Sequence, residues 1–119
     1  MFADFILAMF HCVTNTHVLH LSSRSYSEHM ALGDFYETLD DLADSLAEAY
    51  QGKYGIPTYT AKFENTIPTN ALAYLESISN FVTEARSDAT YPQDSELQNI
   101  TDEIQALIDS TIYKLRYLK

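Results

Sequence analysis

Residues 16–52 decide how this chain is interpreted, and they read THVLHLSSRSYSEHMALGDFYETLDDLADSLAEAYQG. The segment holds three of the four histidines of the chain and a dense group of carboxylates. His17 and His20 close one helical pattern, and His29 opens the next, on which a carboxylate pair follows. Imidazole nitrogens and carboxylate oxygens gathered from neighbouring helices suit a borderline or hard metal such as iron, manganese or zinc.

The second helical pattern, from about Glu28 to Gln51, separates its apolar residues from its candidate ligands. Its apolar stripe consists of Leu32, Phe35, Tyr36, Leu39, Leu42, Ala43, Leu46 and Tyr50. One edge of this stripe, within roughly 100° on a helical wheel, carries His29, Asp40, Asp44 and Glu48. Ligands at the edge of a stripe can face a second subunit, whereas ligands at its centre would face the core of their own bundle.

The first helical pattern runs from about Phe2 to Leu21. Its apolar face at helical spacing consists of Ile6, Met9, Phe10, Val13, His17 and His20. Both histidines therefore continue an apolar stripe, and the plain alternative to a ligand role is a hydrogen-bonded histidine in the core or at an interface.

These residues resemble the metal-binding core of the ferritin-like superfamily, and most closely its mini-ferritin branch, the DNA-binding proteins from starved cells (Dps). In that family a histidine ends the first helix, a second histidine opens the next, and an Asp-x-x-x-Glu pair follows on the second helix. Here His20 or His17 looks like the first histidine, His29 like the second, and Asp44 with Glu48 like the pair. The chain is also similar to short ferritin-like proteins encoded by bacteriophages.

The resemblance implies an all-α, antiparallel four-helix bundle of ferritin type, with residues 1–119 as one domain and a long connection between the second and third helices. It further implies iron binding and Fe(II) oxidation at a ferroxidase site between subunits, with manganese or zinc as alternative metals. The histidines would come from one subunit and the carboxylates from its two-fold mate.

Two positions depart from the family pattern. Gly33 stands where the family has an acidic ligand, and Leu21 stands where it has a tryptophan. A glycine inside a helix costs about 1 kcal/mol relative to alanine, so something should need the space at Gly33, such as a close helix crossing or a bound ion. The alternative function is therefore a non-enzymatic ferritin-fold scaffold, such as a phage structural or assembly protein, with a vestigial metal site.

Charge and composition narrow the expected partners. The chain has 17 acidic and 7 basic residues, a net charge of −10, which argues against binding a phosphate backbone. We expect no nucleic-acid partner, since the Lys-rich tail of DNA-binding Dps proteins has no counterpart. An acidic surface would concentrate cations, although solubility alone explains it equally well.

The expected location is the cytoplasm, which means the host cytoplasm or the virion for a phage-encoded protein. A single cysteine, Cys12, cannot form an internal disulfide, which favours a reducing compartment. The mainly apolar stretch of residues 1–13, which carries Asp4 and His11, lacks the features of a signal peptide and is too short to span a bilayer. We expect no membrane partner.

The second half of the chain predicts two further helices after a long connection, residues 51–68. The third runs from about Asn70 to Ala85, and the fourth begins after a cap at Asp94 or Ser95. Neither contains a Glu-x-x-His motif, so an internal di-iron site has no ligands there. Three aromatic residues of the connection suit either a subunit interface or packing on their own subunit: Tyr54, Tyr59 and Phe63.

The distance along the second helix predicts a homo-oligomer. From His29 to Asp44 the helix rises about 22 Å, so one chain cannot bring its histidines and its carboxylates to the same ion. A two-fold mate would bring the carboxylates of each chain to the histidines of the other and form two equivalent sites. The sequence therefore predicts a dimer, or a larger cage built from dimers.

Overall fold

Four helices form the regular structure of this computed structural model, which describes residues 2–60 and 66–119. They are α1 (Phe2–Ser22), α2 (Tyr26–Tyr54), α3 (Ala71–Ser87) and α4 (Ser95–Tyr117). No strand occurs in these two ranges, which confirms the all-α class and the number of helices. The 29 residues of α2 correspond to about 43 Å of helix, and the longest dimension of the molecule is 43 Å.

Each helix packs against two others. α1 contacts α2 and α3, and α4 contacts the same two helices. One apolar cluster at the centre takes side chains from all four helices, and its fully buried members include Met9, Phe35, Leu39, Leu46, Leu75, Val82, Ile104 and Ile108. Burying one such side chain contributes about 1.5–3 kcal/mol, so this cluster is the main stabilising feature of the fold.

The buried face of α2 agrees with the predicted stripe, whereas that of α1 is rotated from it. The most buried residues of α1 include Phe5, Cys12 and Leu19, which lie to one side of the predicted face. His17 is consequently exposed, and the prediction that it continues the core stripe is wrong. His20 is half-buried, at the boundary with α2.

The caps of α2 explain where this helix begins and ends. Ser25 caps its amino end, because the Ser25 hydroxyl accepts a hydrogen bond from the backbone N–H of Glu28 at 3.3 Å. The predicted end of this helix, at about Gln51, is three residues too early. The helix continues to Tyr54 and stops at Gly55, whose φ of +88° favours glycine.

Contacts with α4 account for the extra turn of α2. The Lys53 ammonium forms an ion pair with Asp94 at 2.6 Å, and the Tyr54 hydroxyl donates to the same carboxylate. Asp94 is the N-cap residue of α4, yet its side chain makes no capping bond to that helix. Its carboxylate binds α2 instead and ties the end of one helix to the start of the other.

Tyr54 and Tyr59, the described aromatic residues expected in the connection, each form a hydrogen bond within the chain. The Tyr59 hydroxyl donates to the side-chain oxygen of Gln51 at 2.7 Å, and Tyr54 binds Asp94 as described above. Phe63, the third aromatic residue expected at an interface, lies outside the described residues. At the other end of the connection, Asn70 caps α3 by accepting from the N–H of Ala73.

α1 also has the length and apolar composition of a membrane-spanning helix. Eight of its residues are buried within the bundle, which is typical of a core helix as well.

Candidate metal centre

The turn between α1 and α2 places two of the predicted ligands side by side. α1 ends at Ser22 and α2 begins at Tyr26, so only three residues separate them. The hydroxyl of Ser23 donates to the Glu28 carboxylate at 2.9 Å, which fastens the turn to the first turn of α2. The last residues of α1 therefore lie against the first residues of α2.

His20 and His29 form a reciprocal pair across this turn. Nδ1 of His20 donates to the backbone carbonyl of His29 at 2.6 Å, and Nδ1 of His29 donates to the backbone carbonyl of His20 at 2.8 Å. The two rings stack, with centroids 3.6 Å apart and planes inclined by 18°. Each ring is thus held by one hydrogen bond and by the other ring.

This pairing determines which nitrogen of each ring is available to bind a metal ion. A carbonyl only accepts hydrogen bonds, so Nδ1 carries the hydrogen in both rings, and the lone pair of the neutral ring is on Nε2. Among the described residues no hydrogen bond involves either Nε2, and no buried side-chain nitrogen lacks a partner. Both Nε2 atoms therefore reach the surface. A histidine whose Nδ1–H is bound to a carbonyl and whose Nε2 is free is oriented as a metal ligand.

Gly33 supplies the space for this pair. A Cβ atom at residue 33 would lie 3.1 Å from Cε1 and 3.2 Å from Nδ1 of His20, closer than side chains ordinarily approach. A glycine occupies this position in the helix because the His20 ring packs directly against the backbone of α2. The same contact explains why this chain has no acidic side chain at residue 33.

His17 belongs to the same row of rings but makes a different contact. Its ring stacks on Tyr36, with centroids 4.2 Å apart, and lies 6.0 Å from the ring of His20. The edge of Tyr36 in turn meets the His20 ring at 5.5 Å. The sequence left His17 and His20 as alternatives for the first ligand, and in the structure it is His20 that pairs with His29.

Asp44 and Glu48 form a second pair, further along α2. Both side chains are exposed, one helical turn apart. Hydrogen bonding and charge repulsion from Asp44 raise the pKa of the Glu48 carboxyl above its ordinary value. The two carboxyl groups are therefore close enough to compete for one proton, which also makes them a ready pair of ligands for a cation.

The structure does not bring the two pairs together within one chain. Among residues 2–60 and 66–119, no group of three or more His, Cys, Asp or Glu side chains is placed to hold a metal ion. The donor set nevertheless suits a borderline metal, because it offers two free imidazole nitrogens at one place and two adjacent carboxylates at another. A complete centre needs ligands from elsewhere.

Cys12 is excluded from the site by its surroundings. It is fully buried, and burial raises the pKa of its thiol to about 12, so the thiolate needed for metal binding or nucleophilic attack is scarce.

Sequence reasoning missed the part played by backbone carbonyls. The spacing of the histidines located them on their helices, but nothing in a spacing indicates that each ring bonds the carbonyl of the other residue. The only available signal was Gly33, whose small size marked a close approach.

Comparison with known proteins gives one match. Residues 20–115 match DUF5856, which is described as a family of unknown function. The chain belongs to this family. The DUF5856 region begins at His20 and includes His29, Asp44 and Glu48, whereas His17 lies outside it. No curated protein and no solved structure matches the sequence.

Proposed function

We propose that this protein is a Dps-like, ferritin-like metal-binding protein that binds iron between two copies of the chain and promotes the oxidation of Fe(II) there, with dioxygen as the electron acceptor. The observation that carries the proposal is the reciprocal pairing of His20 and His29. It fixes two imidazole rings with Nδ1 bound and Nε2 free, at the end of α1 and the start of α2 where the ferritin-like resemblance expects ligands.

The positions of the helix ends support an antiparallel bundle of ferritin type. One cavity of about 520 Å³ is lined by Ser25 at the start of α2, Asn70 at the start of α3 and Lys114 near the end of α4. α1 also ends there, because a three-residue turn joins it to α2. Neighbouring helices would then run in opposite directions, and the connection between α2 and α3 would return along the length of the bundle.

A two-fold mate would complete the centre. Within one chain the imidazole pair and the carboxylate pair lie on the same helix, separated by about 22 Å. The Nε2 lone pairs of one copy could then complete the coordination of a cation that is held by the carboxylates of the other. Two such sites would form about one two-fold axis.

The chemistry assigned to each residue follows from its donor atoms. Asp44 and Glu48 would bind Fe(II) and favour the more highly charged Fe(III), because carboxylates are hard donors. His20 and His29 would bind through Nε2 and leave further coordination positions open. Manganese and zinc accept the same donors and are the alternative metals.

A double variant tests the carboxylate assignment. We expect Asp44→Ala with Glu48→Ala to abolish tight binding of Fe(II) under anaerobic conditions, measured by calorimetry. The matched control is Glu37→Ala with Asp41→Ala, a second exposed carboxylate pair on the same helix with the same change in charge. If both double variants lose binding equally, or neither loses it, the assignment of Asp44 and Glu48 is wrong.

A second candidate function is a non-enzymatic scaffold with a vestigial site. Gly33 and the histidine pair favour a scaffold, because ring stacking and the hydrogen bonds to carbonyl groups hold the two rings in place without any ion. Aerobic addition of Fe(II), followed by near-ultraviolet absorbance, separates the two functions. Oxidation faster than in protein-free buffer supports a ferroxidase, and an equal rate in a protein that still assembles supports the scaffold.

A further inference from the structure

The first helix of this acidic protein is almost free of charge. After Asp4, α1 contains no aspartate, glutamate, lysine or arginine as far as its end at Ser22. Each of the other three helices exposes carboxylates, such as Asp44 on α2, Glu84 on α3 and Asp109 on α4. The net charge of −10 is therefore carried almost entirely outside α1.

A regular row of residues follows the outer side of α1. The spacing within this row alternates between four and three residues, and its members are Leu7, His11, Thr14, Val18 and Leu21. On a helical wheel they lie within about 80° of each other, on the side opposite to the buried Met9 and Cys12. Alternation of four and three is the spacing at which one helix packs along another. We call these five residues the outer seam of α1.

The described part of the chain leaves the outer seam open. α1 contacts α2 and α3, and none of the five seam residues belongs to the apolar core that these helices form. Thr14 is exposed and the Leu21 side chain is 70% exposed, whereas the other three residues are half-buried. A spacing suited to helix packing thus occurs on a face that no helix among residues 2–60 and 66–119 covers.

Charge indicates what can cover this seam. Two copies of a protein with a net charge of −10 repel each other, and the repulsion is least where neither surface carries a charge. A charged partner would lose hydration at the seam and find no counter-ion there. A neutral seam matches itself, and a two-fold axis lets each copy present the same residues to the other.

We propose that two copies of this chain associate through the outer seam, with their α1 helices packed side by side in opposite directions. Thr14 is the middle residue of the seam and therefore lies next to the two-fold axis. Leu7 of one copy then lies opposite Leu21 of the other, because each is seven residues from Thr14. The contact uses no metal, so it does not depend on the metal centre proposed above.

One ring contact shows which part of α2 lies beside the start of α1. Phe2 stacks on Tyr50, with centroids 3.9 Å apart, so these two residues lie at one level of the bundle. The two helices remain side by side as far as the histidine pair at the other end of α1. Six residues into each helix from the Phe2–Tyr50 contact are Ala8 on α1 and Asp44 on α2. Since the rise per residue is the same, these two residues are about level as well.

Pairing about Thr14 brings the two halves of the proposed metal centre to one level. Ala8 and His20 are each six residues from Thr14, so Ala8 of one copy is level with His20 of the other. Asp44, which lies level with Ala8, is then level with the histidine pair of the second copy. The seam therefore supplies the register that an ion shared between two copies requires.

The size of the seam predicts a weak contact. A helix of 21 residues is about 30 Å long, and a strip about 10 Å wide covers roughly 300 Å² on each copy. Stable complexes bury about 800 Å² on each partner. We therefore expect the metal-free dimer to form only at high protein concentration.

Analytical ultracentrifugation of the full chain in EDTA, from low micromolar to millimolar protein, tests the proposal. We expect a reversible equilibrium between monomer and dimer. Thr14→Glu and Thr14→Lys should both weaken dimerisation about tenfold or more, because each places two like charges next to the axis. Thr14→Leu should strengthen it about threefold to tenfold, because two more apolar side chains become buried.

The two charged variants separate the seam from an effect of net charge. They change the net charge in opposite directions, so net charge alone would make Thr14→Lys strengthen the dimer. The matched control is Asn99→Glu, an exposed residue of α4, a helix that does not contact α1. It should change the dimerisation constant by less than about twofold. Thermal melts of each variant verify that the fold is retained.

Three results would overturn the proposal. The first is a metal-free chain that stays monomeric at millimolar concentration, and the second is a Thr14→Lys variant that dimerises more tightly. The third concerns a membrane as the rival occupant, since α1 has the length and composition of a membrane-spanning helix. Binding to phosphatidylcholine vesicles that Thr14→Glu abolishes would assign the seam to a membrane. A metal-free dimer that binds no Zn²⁺ would instead support the seam and contradict the proposed metal centre.

Discussion

At the scale of single residues, Gly33 decides whether the two histidines can pair. Replacing it by alanine should improve intrinsic helix stability by about 1 kcal/mol, but the new methyl group would lie 3.1 Å from the His20 ring. We expect the ring to be displaced and both carbonyl bonds to weaken, so that Gly33→Ala gains nothing or loses stability.

Gly52→Ala provides the matched control for this prediction. Gly52 lies in the same helix, and a Cβ atom there would meet nothing within 4 Å. This variant should gain about 0.5–1 kcal/mol in the free energy of unfolding measured with urea. An equal gain for Gly33→Ala would show that the His20 ring moves aside without cost.

Glu48 makes a prediction about pH. Asp44 raises the pKa of Glu48 in the folded protein, so the ionised Glu48 disfavours folding at any pH above that raised pKa. Glu48→Gln should therefore raise the urea midpoint at pH 7. Well below pH 4.5, the ordinary pKa of a glutamate, Glu48 is protonated and as neutral as the glutamine that replaces it. The difference in urea midpoint between the two proteins should disappear there. Glu103→Gln, which changes the net charge equally, should show no comparable gain, and the same gain there would point to net charge as the cause.

At the scale of helices, α3 buries fewer side chains in the bundle than α2 does. Three residues of α3 are buried, Ala71, Leu75 and Val82, against seven of α2. Hydrogen exchange should therefore show the amides of α3 opening at lower free energy than those in the middle of α2. Equal protection of the two helices would mean that the bundle opens only as a unit.

The same scale shows what the sequence could predict and why. Helical periodicity located all four helices, because it depends on local spacing. The end of α2 depended on Asp94, a residue 40 positions from Tyr54 along the chain, which no local pattern reports. For the site, spacing placed His20 and His29 correctly on their helices, but their mutual carbonyl bonds depend on backbone atoms that no side-chain pattern reports.

At the scale of the whole molecule, metal binding and assembly should be linked. If the carboxylates of one copy complete the site of another, any metal that binds there must favour the dimer by mass action. We expect Zn²⁺, used as a redox-inert probe, to shift the mass measured by light scattering from monomer toward dimer at low micromolar protein. His29→Ala should remove the shift, and Mg²⁺ should not cause it. Tight Zn²⁺ binding with no change in mass would contradict a shared site.

The long connection between α2 and α3 also has a consequence during synthesis. α1 and α2 are neighbours in sequence and are complete once Tyr54 has been made, but their apolar faces are covered in the finished bundle by α3 and α4. At about 5–20 residues per second, the 63 residues from Gly55 to the end of α4 at Tyr117 take roughly 3–13 s to translate. During those seconds the apolar faces of α1 and α2 lack their covering helices, and we expect the crowded, exposed carboxylates on the outer side of α2 to oppose aggregation of the growing chain.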